Sequence, residues 1–336
     1  MKQKNCMMLL LVFISFPIAA HVRWFVESST AVRYQFSSDS LSWLIILGGV
    51  VFCLACYLFE TNRKRNDVQY LGRFPWFLLP IAFGIMFLTN IKYRVFVAPN
   101  VLTPQTVEYY CIVTQSLIAV ACLNFFSLQI AGAGLIALTF FLLAMFPFGI
   151  VMDYAVEFIG AGLALLFIGG KYSAVDKALA LVTANEGMAL AFLRIGLGLQ
   201  LMVLAIHNKL MNPGLVMEFL TTHHYNFMSA VGLSAFSDIH FVLSVGVAEL
   251  CFGLMLVLGL AVRFVTSIVA FFFMLTSTLL GLEELVGHLP IMALALILLC
   301  KGGGDVLHFR LTSRLLFFHL QTCYRLVNRW LFRSPL

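Results

Sequence analysis

The chain has 336 residues, 62% of them hydrophobic and 11% charged, with a mean hydropathy of +0.99. A water-soluble domain carries roughly 45–50% apolar and about 25% charged residues, so that class is excluded and a chain crossing a bilayer many times is implied. The formal net charge of +6 comes from 21 Lys+Arg against 15 Asp+Glu. These basic residues are scattered over loops, which argues against nucleic acid as a partner and leaves the lipid bilayer as the first one.

In chain order, Lys2 and Lys4 precede an apolar run from Met7 to Ile18, closed by Ala19 and Ala20 before His21. A basic start, a short core and small exit residues mark 1–20 as a signal peptide, cleaved or kept as an anchor. Residues 21–73 then hold an outer segment, a first span over 41–59 and a basic loop with Arg63, Lys64 and Arg65. Charge-poor windows predict further spans over 74–91, two within the uncharged stretch 109–152 with a break near Gln129 to Gly134, then 153–169, 190–210, 239–260, 264–282 and 286–300, each close to the roughly 20 residues a bilayer requires. The expected fold is therefore an all-α polytopic transmembrane bundle of about nine spans. The segment from Met211 to Asp238 is poor in charge but holds Asn212, Pro213, Thr221, Thr222, His223, His224 and Asn226, too polar to face lipid.

An N-terminus outside and a C-terminus in the cytoplasm place Lys171, Lys177, Arg194, Arg263 and Lys301 on the inner side, with Arg23, Arg33, Lys92, Arg94 and Lys209 outside. That asymmetry obeys the positive-inside rule and fits a bacterial or archaeal inner membrane. In the tail, 306–336, Arg310, Arg314, Arg325, Arg329 and Arg333 fall on one helical face and Phe309, Leu316 and Trp330 on the other, the pattern of a basic interfacial helix. The eight cysteines lie mostly in apolar stretches. Cys53 and Cys56 form a C-x-x-C without a thioredoxin-like βαβ context, so they read as structural thiols.

The sequence also repeats. Residues 79–171 and 191–302 share an apolar helix ending in lysine (Lys92, Lys209), a long outer loop, two helices joined by a short turn, and a fourth helix. At an offset of 134, Gln115 falls on Glu249 and Gln129 on Arg263; at an offset of 131, Glu157 falls on His288. Domain limits follow: a degenerate four-helix unit over 74–171, a linker over 172–189 and a second four-helix unit over 190–305. The second unit carries Leu193-Arg194-Ile195-Gly196-Leu197-Gly198-Leu199, then His207-Asn208-Lys209-Leu210, Gly246-Val247-Ala248-Glu249, Gly253, Leu258-Gly259, Arg263 and a Lys301-Gly302-Gly303-Gly304-Asp305 exit. In these residues it resembles the DoxX family of four-helix membrane proteins. The resemblance implies two DoxX-like repeats plus one extra N-terminal span, and work in membrane-linked redox metabolism. Family members include the membrane subunit of a thiosulfate:quinone oxidoreductase, so sulfur-compound oxidation, a quinone and a membrane redox partner subunit are expectations of the same kind.

Glu249 is the candidate catalytic residue. It lies about ten residues, or about 15 Å, into its span, where a lone carboxylate must be neutral, paired or facing a polar cavity. His207, Lys209 and His288 are candidate cofactor-binding residues that would share an outer polar pocket with it. Lys209 can instead snorkel to the outer surface, and two residues apart His207 and Lys209 face different ways on an ideal helix. The outer histidines lack ligand spacing, so no metal ligands are assigned. P-loop, dinucleotide, nucleophile-elbow and zincin motifs are absent. Whether the chain is an enzyme is left open. A periplasm-facing metal-handling or small-solute transport protein and a scaffold subunit without chemistry are the alternatives.

Overall fold

A computed structural model describes residues 24–26, 34–62, 72–101, 103–124, 126–228, 230 and 232–308. The signal segment, most of the basic loop after the first span and the tail from 309 lie outside the described residues. Within them the protein is all-helical, and nine helices are long and apolar enough to cross a membrane. The long helices are α1 (Ser40–Asn62), α2 (Phe74–Lys92), α3 (Gln105–Leu123), α4 (Leu128–Met145), α6 (Ala155–Tyr172), α8 (Glu186–Leu204), α10 (Asp238–Leu258), α11 (Val262–Leu280) and α12 (Leu282–Lys301). Shorter helices are α5 (Phe148–Val151), α7 (Ala174–Leu179) and α9 (Pro213–His223), and a π-helical segment, Ala205–Leu210, prolongs α8. The long helices alternate in direction; the side on which α1, α3, α6, α10 and α12 begin is termed the first face.

Eight of the long helices form a closed circuit. Each of α2, α3, α4, α6, α8, α10, α11 and α12 packs on the next, and α12 returns to α2. The last helix of each four-helix unit thus packs on the first helix of the other, while α1 lies outside the circuit against α10. Two glycine contacts set the closest approaches. A Cβ at Gly160 would sit 2.6 Å from the Gly196 Cα, and one at Gly198 would sit 2.6 Å from the Gly253 carbonyl oxygen. Small residues give membrane helices the dispersion contacts that replace a hydrophobic driving force. The larger of two apolar clusters, including Trp76, Phe83, Phe87, Phe158, Leu197 and Phe252, spans both units.

The break between α3 and α4 lies at Asn124–Ser127, ahead of the expected Gln129 to Gly134. The Asn124 side chain accepts from the backbone N–H of Ser127 at 2.7 Å, and Ser127 caps α4 by accepting from the Ile130 N–H at 3.1 Å. Buried Asp176 accepts from the Ser127 hydroxyl and from the Leu128 N–H at 2.9 Å. An acid at a helix N-terminus satisfies orphan donors and complements the dipole. Gln129 sits in the first turn of α4 and donates to the carbonyls of Leu166 and Val182.

On the opposite side from the first face, Arg194 is fully buried. Its guanidinium donates to the carbonyls of Gly303, Leu256, Val257, Val306 and Leu307 at 2.6–3.1 Å. Five donors in a fixed fork thereby absorb the bare carbonyl end of α10 and hold the glycine-rich exit against it.

Candidate functional site

The site is built where α8 leaves its regular winding. Over Ala205–Leu210 the backbone is π-helical, a local widening that recurs at functional positions, and Asn212-Pro213 then end the element. Three consecutive polar residues, His207, Asn208 and Lys209, are consequently distributed between two neighbours. Lys209 points into the second unit, where its Nζ lies 2.8 Å from the Glu249 Oε2; the two side chains are 0% and 1% exposed. The snorkelling expected for Lys209 does not occur. Gly246 makes room: a Cβ there would lie 2.7 Å from the Leu210 side chain and 3.4 Å from the Lys209 Cβ. Helix α9 covers this junction from the first face, packing Leu215, Val216, Phe219 and Leu220 against Phe241, Val242 and Val245 of α10.

The pair is not isolated. Glu284, in the first turn of α12, is also fully buried and lies within the electrostatic reach of Lys209. Among the described residues, the Glu284 oxygens, the Glu249 oxygens and the Lys209 Nζ make no hydrogen bond of regular geometry, and the Thr276 side chain lies beside the Glu284 carboxyl. His288 stands one turn beyond Glu284, with its Nδ1 2.9 Å from the Glu284 carbonyl oxygen and 3.3 Å from Oε1. Its ring is enclosed by Trp24, stacked at 5.2 Å, and Phe273, at 4.7 Å. Trp24 in turn donates its indole N–H to the Tyr154 hydroxyl at 2.8 Å, which ties the site to the first unit.

Charge counting shows what this arrangement can do. Buried charge costs several kcal/mol per ion unless compensated. One ammonium compensates one carboxylate, so with two carboxylates and a neutral imidazole the cluster is electroneutral when it holds one further proton. Glu249, Glu284 and His288 are the groups of the cluster that can hold that proton. Proton occupancy is therefore the chemical degree of freedom of the site.

Of the four residues singled out in the sequence, Lys209, Glu249 and His288 fall in this neighbourhood. His207 lies apart: its Nδ1 is 3.3 Å from the Asp153 Oδ1, its side chain is 30% exposed, and Asn208 approaches the same oxygen at 3.5 Å. Glu284 was not among the site residues expected. Its signal was present as Glu-x-x-x-His, which puts Glu284 and His288 one turn apart on one helical face. Counted from the helix starts, Glu157 and Glu284 each stand third in α6 and α12. In position along their helices Glu157 thus corresponds to Glu284, one turn before the His288 with which the 131-residue offset pairs it. In the first unit Gln115 fills its interior differently, accepting from the Val97 N–H at 2.7 Å and donating to the carbonyls of Phe87 and Val95.

An apolar groove of about 270 Å³ lies between α1, α10 and α11, lined by Phe52, Phe252, Phe264, Ser267, Ile268, Phe271 and Phe272. Phe252 is one turn from Glu249 on α10. Among the described residues no three His, Cys, Asp or Glu side chains gather as a metal-binding group. No family model, no curated protein and no solved structure matches the chain.

Proposed function

We propose that this chain is a DoxX-like integral membrane protein that handles protons for membrane-linked redox metabolism, with a quinone as the lipid-soluble redox partner. The observation that carries this reading is the placement of two buried carboxylates, Glu249 and Glu284, around one buried ammonium, Lys209. Such a cluster is expensive to maintain, and ionisable groups inside a membrane mark proton relays and substrate sites. Quinone reduction consumes two protons and two electrons, and a carboxyl group within the bilayer supplies the first of these by general acid catalysis. The Phe-lined groove one turn from Glu249 is suited to an isoprenoid chain, because six of its seven lining residues are apolar or aromatic, Ser267 being the exception. The first face is read as the outer one, because Arg73, Lys171, Lys177, Arg263 and Lys301 gather at the other, as the positive-inside rule requires. The electron donor, a small sulfur compound or a partner subunit, is part of the same proposal.

The test is quinone binding to the purified protein in lipid nanodiscs, followed by Trp fluorescence. Saturable binding of a short-chain ubiquinone or menaquinone that weakens at least about tenfold in E249Q, with an unchanged thermal transition, supports the reading. Absence of saturable binding overturns it. A proton-coupled transporter is the second reading, favoured by the packing of the last helix of each unit on the first helix of the other. In that case E249Q abolishes solute-driven proton uptake in proteoliposomes and leaves quinone binding untouched.

A further inference from the structure

At the start of α1 and α10, at the first-face ends of these two helices, three side chains from distant parts of the chain line up. The Ser237 hydroxyl lies 2.7 Å from the His240 Nδ1, and the His240 Nε2 lies 2.9 Å from the Asp39 Oδ2. Asp39 and His240 are 201 residues apart, so the alignment is a product of α1 packing on α10. Ser237 is exposed, while the His240 side chain is 12% exposed and rests 6.0 Å from the buried Phe236 ring. We propose that Ser237, His240 and Asp39 form a nucleophile, base and orienting acid that hydrolyse carboxylic esters presented at the membrane surface. The proposal is independent of the Lys209 cluster and of quinone chemistry.

The hydrogen bonds fix the roles. Asp39 also accepts from the Ser37 hydroxyl at 2.6 Å and the Ser42 backbone N–H at 2.7 Å, and these donors with His240 hold its carboxyl well below the usual carboxylate range. An ionised Asp39 accepts from Nε2–H, which leaves the Nδ1 lone pair to accept from the Ser237 hydroxyl. A nucleophile bonded to a base that is itself oriented by a third group is the arrangement that activates serine. The ring is used in the opposite sense to the serine proteases, where serine meets Nε2 and aspartate meets Nδ1; the proton-transfer logic is unchanged.

The surroundings supply the remaining parts. Ser237 is the N-cap of α10 and its side chain makes no cap hydrogen bond, so the first backbone N–H groups of that helix are the donors nearest in the chain for a developing oxyanion. The Asp238 carboxylate, which would oppose such an anion, is engaged by the Asn226 side-chain amide at 2.7 Å. Trp43 is 61% exposed one turn into α1, its indole N–H bonded to the Ser38 hydroxyl at 3.2 Å. Such a residue marks the level where hydrocarbon meets headgroups. An ester whose acyl chain lies in the bilayer presents its carbonyl at that level.

In the reaction the Ser237 Oγ bonds to the ester carbonyl carbon as its proton passes to the His240 Nδ1. Collapse of the tetrahedral intermediate breaks the bond to the leaving alcohol, which takes that proton. Water, deprotonated by the same nitrogen, then releases the acid and restores the serine.

The experiment treats the full chain in lipid nanodiscs with a fluorophosphonate probe and locates the adduct by peptide mass spectrometry. Hydrolysis of p-nitrophenyl butyrate and palmitate is measured in parallel. The expected result is an adduct on Ser237 and ester hydrolysis that falls at least about 100-fold in S237A and H240Q, with D39N also strongly impaired and the size-exclusion profiles unchanged. The proposal is overturned if Ser237 stays unlabelled in the wild-type chain, or if hydrolysis persists in S237A. A lower melting temperature for S237A without any adduct on the wild type means a helix cap only, and overturns it as well.

Discussion

Lys209 and Glu249 meet at 2.8 Å with essentially no exposure to solvent, one from a π-helical end of α8 and the other from the middle of α10. Neither would reach the other on a regular α8 with an outward lysine. The contact joins local backbone irregularity, helix packing and buried charge in a single relationship.

A buried ion pair is costly to break and cheap to replace. K209M leaves Glu249 and Glu284 without a cation and should destabilise the protein by about 3–5 kcal/mol, whereas K209M/E249L removes both charges and should recover most of that loss. Thermal unfolding in detergent measures both. Recovered stability combined with lost quinone binding would show that the pair is retained for chemistry rather than for folding.

Arg194 holds the opposite side. R194A takes the donor fork away from five carbonyls, of which that of Leu256 keeps the Gly259 N–H at 3.1 Å, each unsatisfied buried acceptor costing about 1–3 kcal/mol. R194K keeps the charge but loses the planar geometry, so it should rescue less than half of the loss. The measurement is the unfolding midpoint of the two variants, with limited proteolysis after residue 300 as a local report on release of the exit.

The placement of α1 against α10 is testable through sulfur. Cys53 and Cys251 are free thiols facing each other across that interface, and a Cβ on Gly49, one turn before Cys53, would lie 3.0 Å from the Cys251 Sγ. Mild oxidation with copper phenanthroline should link Cys53 to Cys251, seen as a joined peptide pair by mass spectrometry and absent from C53S and from C251S. A Cys53–Cys56 link in its place would contradict the packing of α1.

The nine spans were legible because a bilayer tolerates so few charges that gaps between charged residues trace the helices. Boundaries set by uncharged caps were harder to see: Asn124 and Ser127 end α3 and start α4 through side-chain hydrogen bonds, and hydropathy does not register them. Glu249 was legible as an anomaly, since a carboxylate in mid-span demands a partner. Lys209 was legible as a neighbour in the same polar pocket but not as a direct ion-pair partner, because its inward turn depends on a π-helical segment and a covering helix that no periodicity announces. Glu284 was visible as an acid one turn before His288, yet its approach to Lys209 depends on the packing of three separate helices. The Ser237, His240 and Asp39 alignment spans 201 residues and is invisible without the fold.

The most direct test of the proposed role is infrared difference spectroscopy of the protein in nanodiscs during reduction and reoxidation of bound quinone. If the Lys209, Glu249, Glu284 and His288 cluster exchanges the proton, the wild-type difference spectrum contains a protonated-carboxyl band that disappears in E284Q and shifts in E249Q. A band unchanged in both variants, or a spectrum without one, would contradict a proton-handling site at this cluster.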